Sequence, residues 1–252
     1  MKEDKEEKVN NNISIVYEDD DVVVINKPYG IMVHSDGRVA SETVVDWLLK
    51  HEPKAKGVGE EGFAQDGTPL ERSGVVHRLD KDTSGVLILA KTQEAFSHLK
   101  QQFKERLIKK EYRTFVYGTM KEKWGSIDRP IGRSSKDFRL RSAQRGAKGR
   151  LRESQTDWEL IGQSDNFAYL KIMPKTGRTH QIRAHMKAIG RSIVCDSLYA
   201  PESLLEGNSL GFKRLALHAH KLIVLLPKGE VKTFIAPQPQ DFENAEVSLA
   251  SA

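Results

Sequence analysis

Strand-patterned apolar runs in this chain adjoin one another without a helix between them, and that adjacency limits the possible folds more than any other feature. Residues 13–28, "ISIVYEDDDVVVINKP", read as a hairpin: two β-branched runs around an acidic turn, stopped by Pro28. "VLILA" (86–90), "EYRTFVYG" (111–118), "TDWELI" (156–161), "FAYLKIM" (167–173) and "HAHKLIVLLP" (218–227) add further strands. Strands outnumber helices and do not strictly alternate with them, which predicts an α+β fold on a central mixed, largely antiparallel sheet. At 252 residues the chain can bury a sizeable core, and neither an internal repeat nor a linker divides it. The expectation is a disordered tail over 1–12, one domain over 13–243 and a short tail over 244–252.

Three helices fit between the strands. "SETVVDWLLKHEP" places Ser41 as N-cap, Val44, Val45, Leu48 and Leu49 on one face, and Pro53 as stop. Thr92 caps a second helix that turns Phe96, Leu99, Phe103 and Leu107 inward. "THQIRAHMKAIG" forms a third, with Ile182, Met186 and Ile189 inward and Gly190 ending it. Residues 53–73, rich in Gly, Lys, Glu and Pro, read as a long mobile loop.

Charge narrows the function classes. The net charge is +5, yet residues 100–150 alone carry 16 Lys+Arg against 5 Asp+Glu. Such clustering fits a polyanionic partner and a solvated face equally well. Residues 133–152, with eight Lys+Arg and one Asp, read as an exposed basic loop or ribbon. The single cysteine, Cys195, excludes an intrachain disulfide and any zinc site that needs several thiolates. There is no signal-like start and no membrane-length apolar run, so a cytoplasmic chain is expected, with a monomer as default.

Several chemistries fall away. His180 and His185 are five apart on their helix and point to different faces. His218 and His220 share a strand face but have no carboxylate or thiol at ligand spacing, so no metal site is expected. No glycine-rich loop with the lysine of a nucleotide site is present. Ser84 in "DTSG" lacks the glycine two residues earlier that a nucleophile elbow requires.

The carboxylate in "HRLDKDTSG" (77–85) remains. Asp80 has Arg78 two residues before it and Lys81 beside it, a pattern that suits both a surface salt bridge and a pocket carboxylate held among cations. "KTGRTHQIRAHM" (175–186) adds Arg178 at a helix entrance and Arg183 at the edge of the apolar stripe. "KKEYRTFVYG" puts Tyr112 at the start of a strand, where it packs in a core or offers a ring to a base.

In this order and spacing, those three blocks resemble the RluA-type pseudouridine synthases. "VVVINKPYGIMVH", "RPIGR" and "LHAHKL" are similar to further family segments, so the resemblance covers nearly the whole chain. It implies the pseudouridine synthase fold, an RNA substrate, ribosomal or transfer, and isomerisation of uridine without a cofactor. It makes Asp80 the catalytic aspartate and Arg183 the partner that keeps it ionised. It gives Tyr112 the stacking position on the uracil, with removal of the C5 proton as a second role. Arg78 would fill the space left by the extruded nucleotide. Arg178, Arg139, Arg141, Lys148 and Arg150 are expected to contact substrate. Two rivals are a silent RNA-binding protein on the same fold and a hydrolase that cleaves the glycosidic bond without rejoining it. Cys195, in "IVCDSLYA", stands where the family usually has glycine, which predicts a slightly altered turn.

Overall fold

The computed structural model describes residues 13–35, 37, 41–63, 67–135, 137, 140–144 and 147–251. The expected tail over 1–12 therefore lies outside the described residues, as does Arg139.

The hairpin forms as read, β1 (Ser14–Glu18) against β2 (Val22–Lys27). Helix α1 (Val44–His51) follows, but its N-cap is Thr43 rather than Ser41. Asp46 stands three residues after Thr43 and closes a reciprocal capping box with it, at 2.8 and 3.3 Å. The corresponding position after Ser41 is Val44, which has nothing to offer in return. Within the span expected as a loop lie a turn at Pro53–Ala55 and the short ribbon β3 (Gly62–Phe63) and β4 (Pro69–Leu70). Bonds from Gly57 N–H to Ser73 Oγ and from Gly74 N–H to the Val58 carbonyl tie this span down.

Strand β5 (Ser84–Ala90) is buried on both faces, which explains its unbroken apolar run. Helix α2 (Gln93–Glu105) is capped by Thr92 as expected. Its inward stripe ends before Leu107, which is 61% exposed. Arg106 takes a left-handed conformation (φ 62°) that turns the chain, and Ile108 enters the core instead.

Strand β6 (Lys109–Tyr117) leads through β7 (Trp124–Asp128) into the basic segment. There β8 (Ile131–Arg133), β9 (Arg141–Ser142) and β10 (Lys148–Arg152) form a separate three-stranded sheet, a ribbon whose β10 is exposed at every residue. Strands β11 (Gln155–Gln163) and β12 (Phe167–Pro174) precede helix α3 (Gln181–Ala188), the short α4 (Glu202–Leu205), then β13 (Leu217–Leu225) and β14 (Val231–Ile235).

The described nine-stranded sheet runs β1-β2-β5-β13-β6-β12-β11-β7, with β14 also paired to β13. Its pairings are antiparallel except β5 with β13. One apolar core gathers on the β2–β5 side under α1 and α2, and a second on the β6–β12 side under α3. The parallel β5–β13 contact joins the two halves, and it locates the site.

The expected tail over 244–252 is corrected. Helix α5 (Gln240–Ala250) occupies most of it, with Phe242, Ala245 and Leu249 buried in the second core. Those residues recur at helical spacing, a short signal that the proline-rich approach "APQPQDF" masks.

Candidate active site

The Asp80 loop is fastened from beneath by a buried lysine. Lys27 has no exposed surface and donates to the carbonyls of Pro28 (2.8 Å), Ile31 (2.8 Å) and Lys81 (3.1 Å). Gly30 N–H reaches the same Lys81 carbonyl at 2.9 Å. Burial pushes the Lys27 amine down to about 7, partly offset by Asp82 and Asp80. The loop then enters β5 through Gly85, at φ +117°. A Cβ there would stand 2.2 Å from the Ala219 carbonyl oxygen, so only glycine permits this contact with β13. In register, Gly85 faces Ala219 and Ala219 faces Tyr112, which brings the loop and β6 to one cleft.

Ser84 is sealed in this joint. Its Oγ lies 2.9 Å from His218 Nδ1 and 3.1 Å from an Arg214 nitrogen, and Arg214 in turn grips Asp241 of α5 at 2.7 and 2.8 Å. His218, pushed down to about 4 chiefly by burial, is a structural histidine. His185 is another, bonded to Thr156 Oγ1 and the Arg129 carbonyl at 2.9 Å each.

Arg183 rises from the first turn of α3 and is only 3% exposed. One of its terminal nitrogens stands 3.6 Å from Asp80 Oδ2, so the expected partners do meet. Its closer partner, however, is Asp196. Nε and the other terminal nitrogen donate to the two Asp196 oxygens at 2.8 and 2.6 Å. Asp196 has no exposed surface and also accepts from the backbone N–H groups of Leu198 (3.2 Å) and Tyr199 (3.1 Å). The Tyr199 ring lies 5.0 Å from the guanidinium, and its hydroxyl meets His180 Nδ1 at 3.0 Å. Burial disfavours the Arg183 charge, but the Asp196 bonds and charge, then Asp80, hold its pKa above the ordinary arginine value. Sequence reasoning misses Asp196 and Tyr199 as site residues. The available signal is the acidic residue in "IVCDSLYA", beside the atypical Cys195. Cys195 adopts φ +56° there, a left-handed turn that glycine would enter without strain.

A cleft of about 510 Å³ opens above these groups. Among the described residues its walls carry Arg78, Lys104, Arg106, Lys110, Lys175, Arg178 and Arg183, and a single carboxylate, Asp80. Tyr112 lines the same cleft. Burial, then the Asp80 charge, raises its phenol well above the usual range, so its hydroxyl keeps its proton and the side chain stands there neutral. Arg78 is exposed at the rim, 3.3 Å from His34 Nε2, a partner contributed by the end of "VVVINKPYGIMVH". Arg178 also lines the cleft and donates to the Glu153 carbonyl at 3.1 Å. The ribbon residues do not reach the cleft floor. Lys148 and Arg150 face solvent on β10, and Arg141 is bonded through its backbone N–H to the Tyr199 hydroxyl at 2.8 Å.

Comparison with known proteins identifies the family. The model of the family described as RNA pseudouridylate synthase matches residues 21–188. An uncharacterised RNA pseudouridine synthase of Synechocystis sp. is 40% identical over 94% of this chain and 69% of its own. A protein of Borreliella burgdorferi named ribosomal large subunit pseudouridine synthase D is 38% identical over 91% of this chain, which spans 66% of that relative. Among solved structures, human RNA pseudouridylate synthase domain containing 1 superposes with a TM-score of 0.70 at 28% identity, covering 91% of this chain and 84% of that one. The chain belongs to the RNA pseudouridylate synthase family, of RluA type, and is an RNA pseudouridine synthase.

Proposed function

We propose that this enzyme isomerises a uridine extruded from structured RNA, with Asp80 as the catalytic residue. The observation that carries the reading is the charge arrangement of the cleft: among the described residues one carboxylate, Asp80, stands among seven Lys and Arg side chains, with Arg183 at 3.6 Å. A polyanion is drawn to such walls, and the carboxylate is the group left to act on the sugar or base. Isomerisation breaks the N1–C1′ bond and rejoins the ring through C5, so the C5 proton leaves and N1 gains one. Asp80 acts at C1′, at C6 or as a base at C2′. These routes share one requirement, a uridine out of its stack.

Extrusion costs a few kcal/mol. Tyr112 offsets part of it as a ring against the uracil, and Arg78 at the rim supplies a side chain for the space left behind. Arg141, Lys148 and Arg150, on the ribbon beside the cleft, serve the flanking backbone, as does Arg178. Arg139 completes that expectation from outside the described residues. Among described residues no helix is long and apolar enough to cross a membrane, and a cytoplasmic monomer acting on RNA is the simplest form of the proposal.

Large-subunit ribosomal RNA is the first substrate to try, since a relative is named for it, and transfer RNA the second. Each is transcribed separately, incubated with the enzyme and digested to nucleosides. Pseudouridine in one digest, without free uracil, supports the reading. Free uracil with an abasic site would show a hydrolase instead, and binding without either product would show a silent RNA-binding protein.

A further inference from the structure

Two partly or fully buried lysines flank the site, and their surroundings differ in kind. Lys27 spends its three protons on three carbonyl oxygens at 2.8, 2.8 and 3.1 Å, as a structural lysine should. Lys110 has one oxygen, the Thr176 carbonyl, at 3.4 Å, and no carboxylate partner among the described residues. It lies two residues before Tyr112 on β6 and therefore on the same face, and it lines the same cleft. Among the described residues its remaining protons have nothing to bond to. An ammonium so placed, at the edge of a cavity, calls for an anion from outside.

The surroundings of Lys110 make that anion a diffuse one. Arg106 at the end of α2 and Arg178 before α3 line the cleft beside it. Burial, then the charges of Arg152 and Arg106, lowers the Arg178 pKa, so three guanidinium groups from three chain segments crowd one another without enough carboxylate to quench them. Burial alone pushes the Lys110 amine down to about 8.

We propose that Lys110, with Arg178 and Arg106, forms a phosphate-binding subsite that grips a phosphodiester flanking the nucleotide in the cleft. The inference rests on the RNA substrate of the preceding reading but not on Asp80 chemistry. A phosphodiester is the anion that an RNA substrate brings, and the two non-bridging oxygens on its tetrahedral phosphorus accept from several donors at once. It also gives the enzyme a handle on the sugar–phosphate chain beside the base, which holds the extruded nucleotide without reading its sequence. The titratable and charged groups that line this cleft with Lys110 are His77, Arg78, Asp80, Lys104, Arg106, Tyr112, Lys175, Arg178, His180 and Arg183. Burial, then the Lys110 charge, holds His77 down at about 3, so it stays neutral and does not titrate in the range that matters.

The test uses fluorescein-labelled pentauridylate, with anisotropy recorded across a NaCl series at pH 7 and pH 9. Lys110→Met should weaken binding about tenfold at low salt and reduce the slope of log K against log salt by about 0.7, the share of one phosphate on a single strand. Lys110→Arg should keep the wild-type slope. Between pH 7 and pH 9 the wild type should lose affinity relative to Lys110→Arg, because the lysine gives up its proton through about 8 and arginine does not. Ionisation of the uracil ring cancels in that comparison. Lys110→Met with wild-type affinity and slope would overturn the proposal, as would a wild type that tracks Lys110→Arg across pH. Pentauridylate binding needs no turnover, so failure of the catalytic reading, seen as absent pseudouridine, is read separately.

Discussion

The contact geometry around Arg183 predicts that Asp196→Asn is far more damaging to stability than Asp80→Asn. Asp196 is fully buried and holds the guanidinium through two bonds of 2.6 and 2.8 Å, while its Oδ1 also accepts two backbone N–H groups. In the Asp196→Asn variant the amide oxygen can still serve the backbone donors, but the new NH2 meets Arg183 Nε donor to donor. The arginine is left buried against a single carboxylate 3.6 Å away. Breaking a buried ion pair from one side costs about 3–5 kcal/mol. For a chain of this size each kcal/mol lowers Tm by about 2–4 °C, so Tm should drop by roughly 6–20 °C. Asp80, with a side chain 21% exposed and at 3.6 Å, contributes at most about 1 kcal/mol through the same arginine. Its Asn variant should melt within about 4 °C of wild type. Thermal unfolding followed by circular dichroism compares the three proteins. If Asp196→Asn melts within about 2 °C of wild type, or above Asp80→Asn, the view that Asp196 seats the arginine that Asp80 uses is refuted.

Arg183→Met, assayed about 20 °C below its own melting point, should lose roughly 10²–10³ in turnover, the range seen when one preorganised hydrogen-bond donor is removed, with RNA affinity nearly kept. An equal loss of affinity would make Arg183 a phosphate contact. The Lys27 amine has a folded pKa of about 7 against an ordinary 10.5, so its burial weighs on the fold below about pH 7 and that cost fades as pH rises. The Tm of wild type minus that of Lys27→Met should therefore grow between pH 6.5 and pH 9.5, and a flat difference would contradict the burial argument. Cys195→Gly removes a left-handed non-glycine residue at φ +56° and should stabilise by about 0.5–1 kcal/mol, or roughly 1–4 °C in Tm, despite the lost thiol contact with the Phe212 carbonyl. A lower Tm would show that the thiol contact outweighs the strain.

What the sequence discloses is mostly local. The hairpin at 13–28, the Thr92 cap and the strand "VLILA" each carry their pattern within a few residues, and each is found in place. Asp80, Tyr112 and Arg183 are legible as a set through their motif blocks, and the structure lines one cleft with all three. Pairings made across the fold leave no such trace. Nothing near Arg183 names Asp196, because the two meet only after α3 packs against the turn at 195–199. The same holds for Arg78 with His34 and for Lys27 under the Lys81 carbonyl, contacts that span 44 and 54 residues. Ser41 reads as the better cap because serine is the stronger type in isolation, whereas the reciprocal acid at Asp46 decides for Thr43. Helix α5 escapes a sequence reading because three apolar residues among polar ones are a weak signal until a core receives them.

The central claim is that Asp80 performs the isomerisation, and the direct measurement is tritium release from RNA carrying C5-tritiated uridine, with wild type beside Asp80→Asn at matched RNA occupancy. The account predicts release by the wild type and none by Asp80→Asn, which remains folded and RNA-bound. Substantial release by Asp80→Asn would contradict it and return Asp80 to the role of a charged neighbour of Arg183.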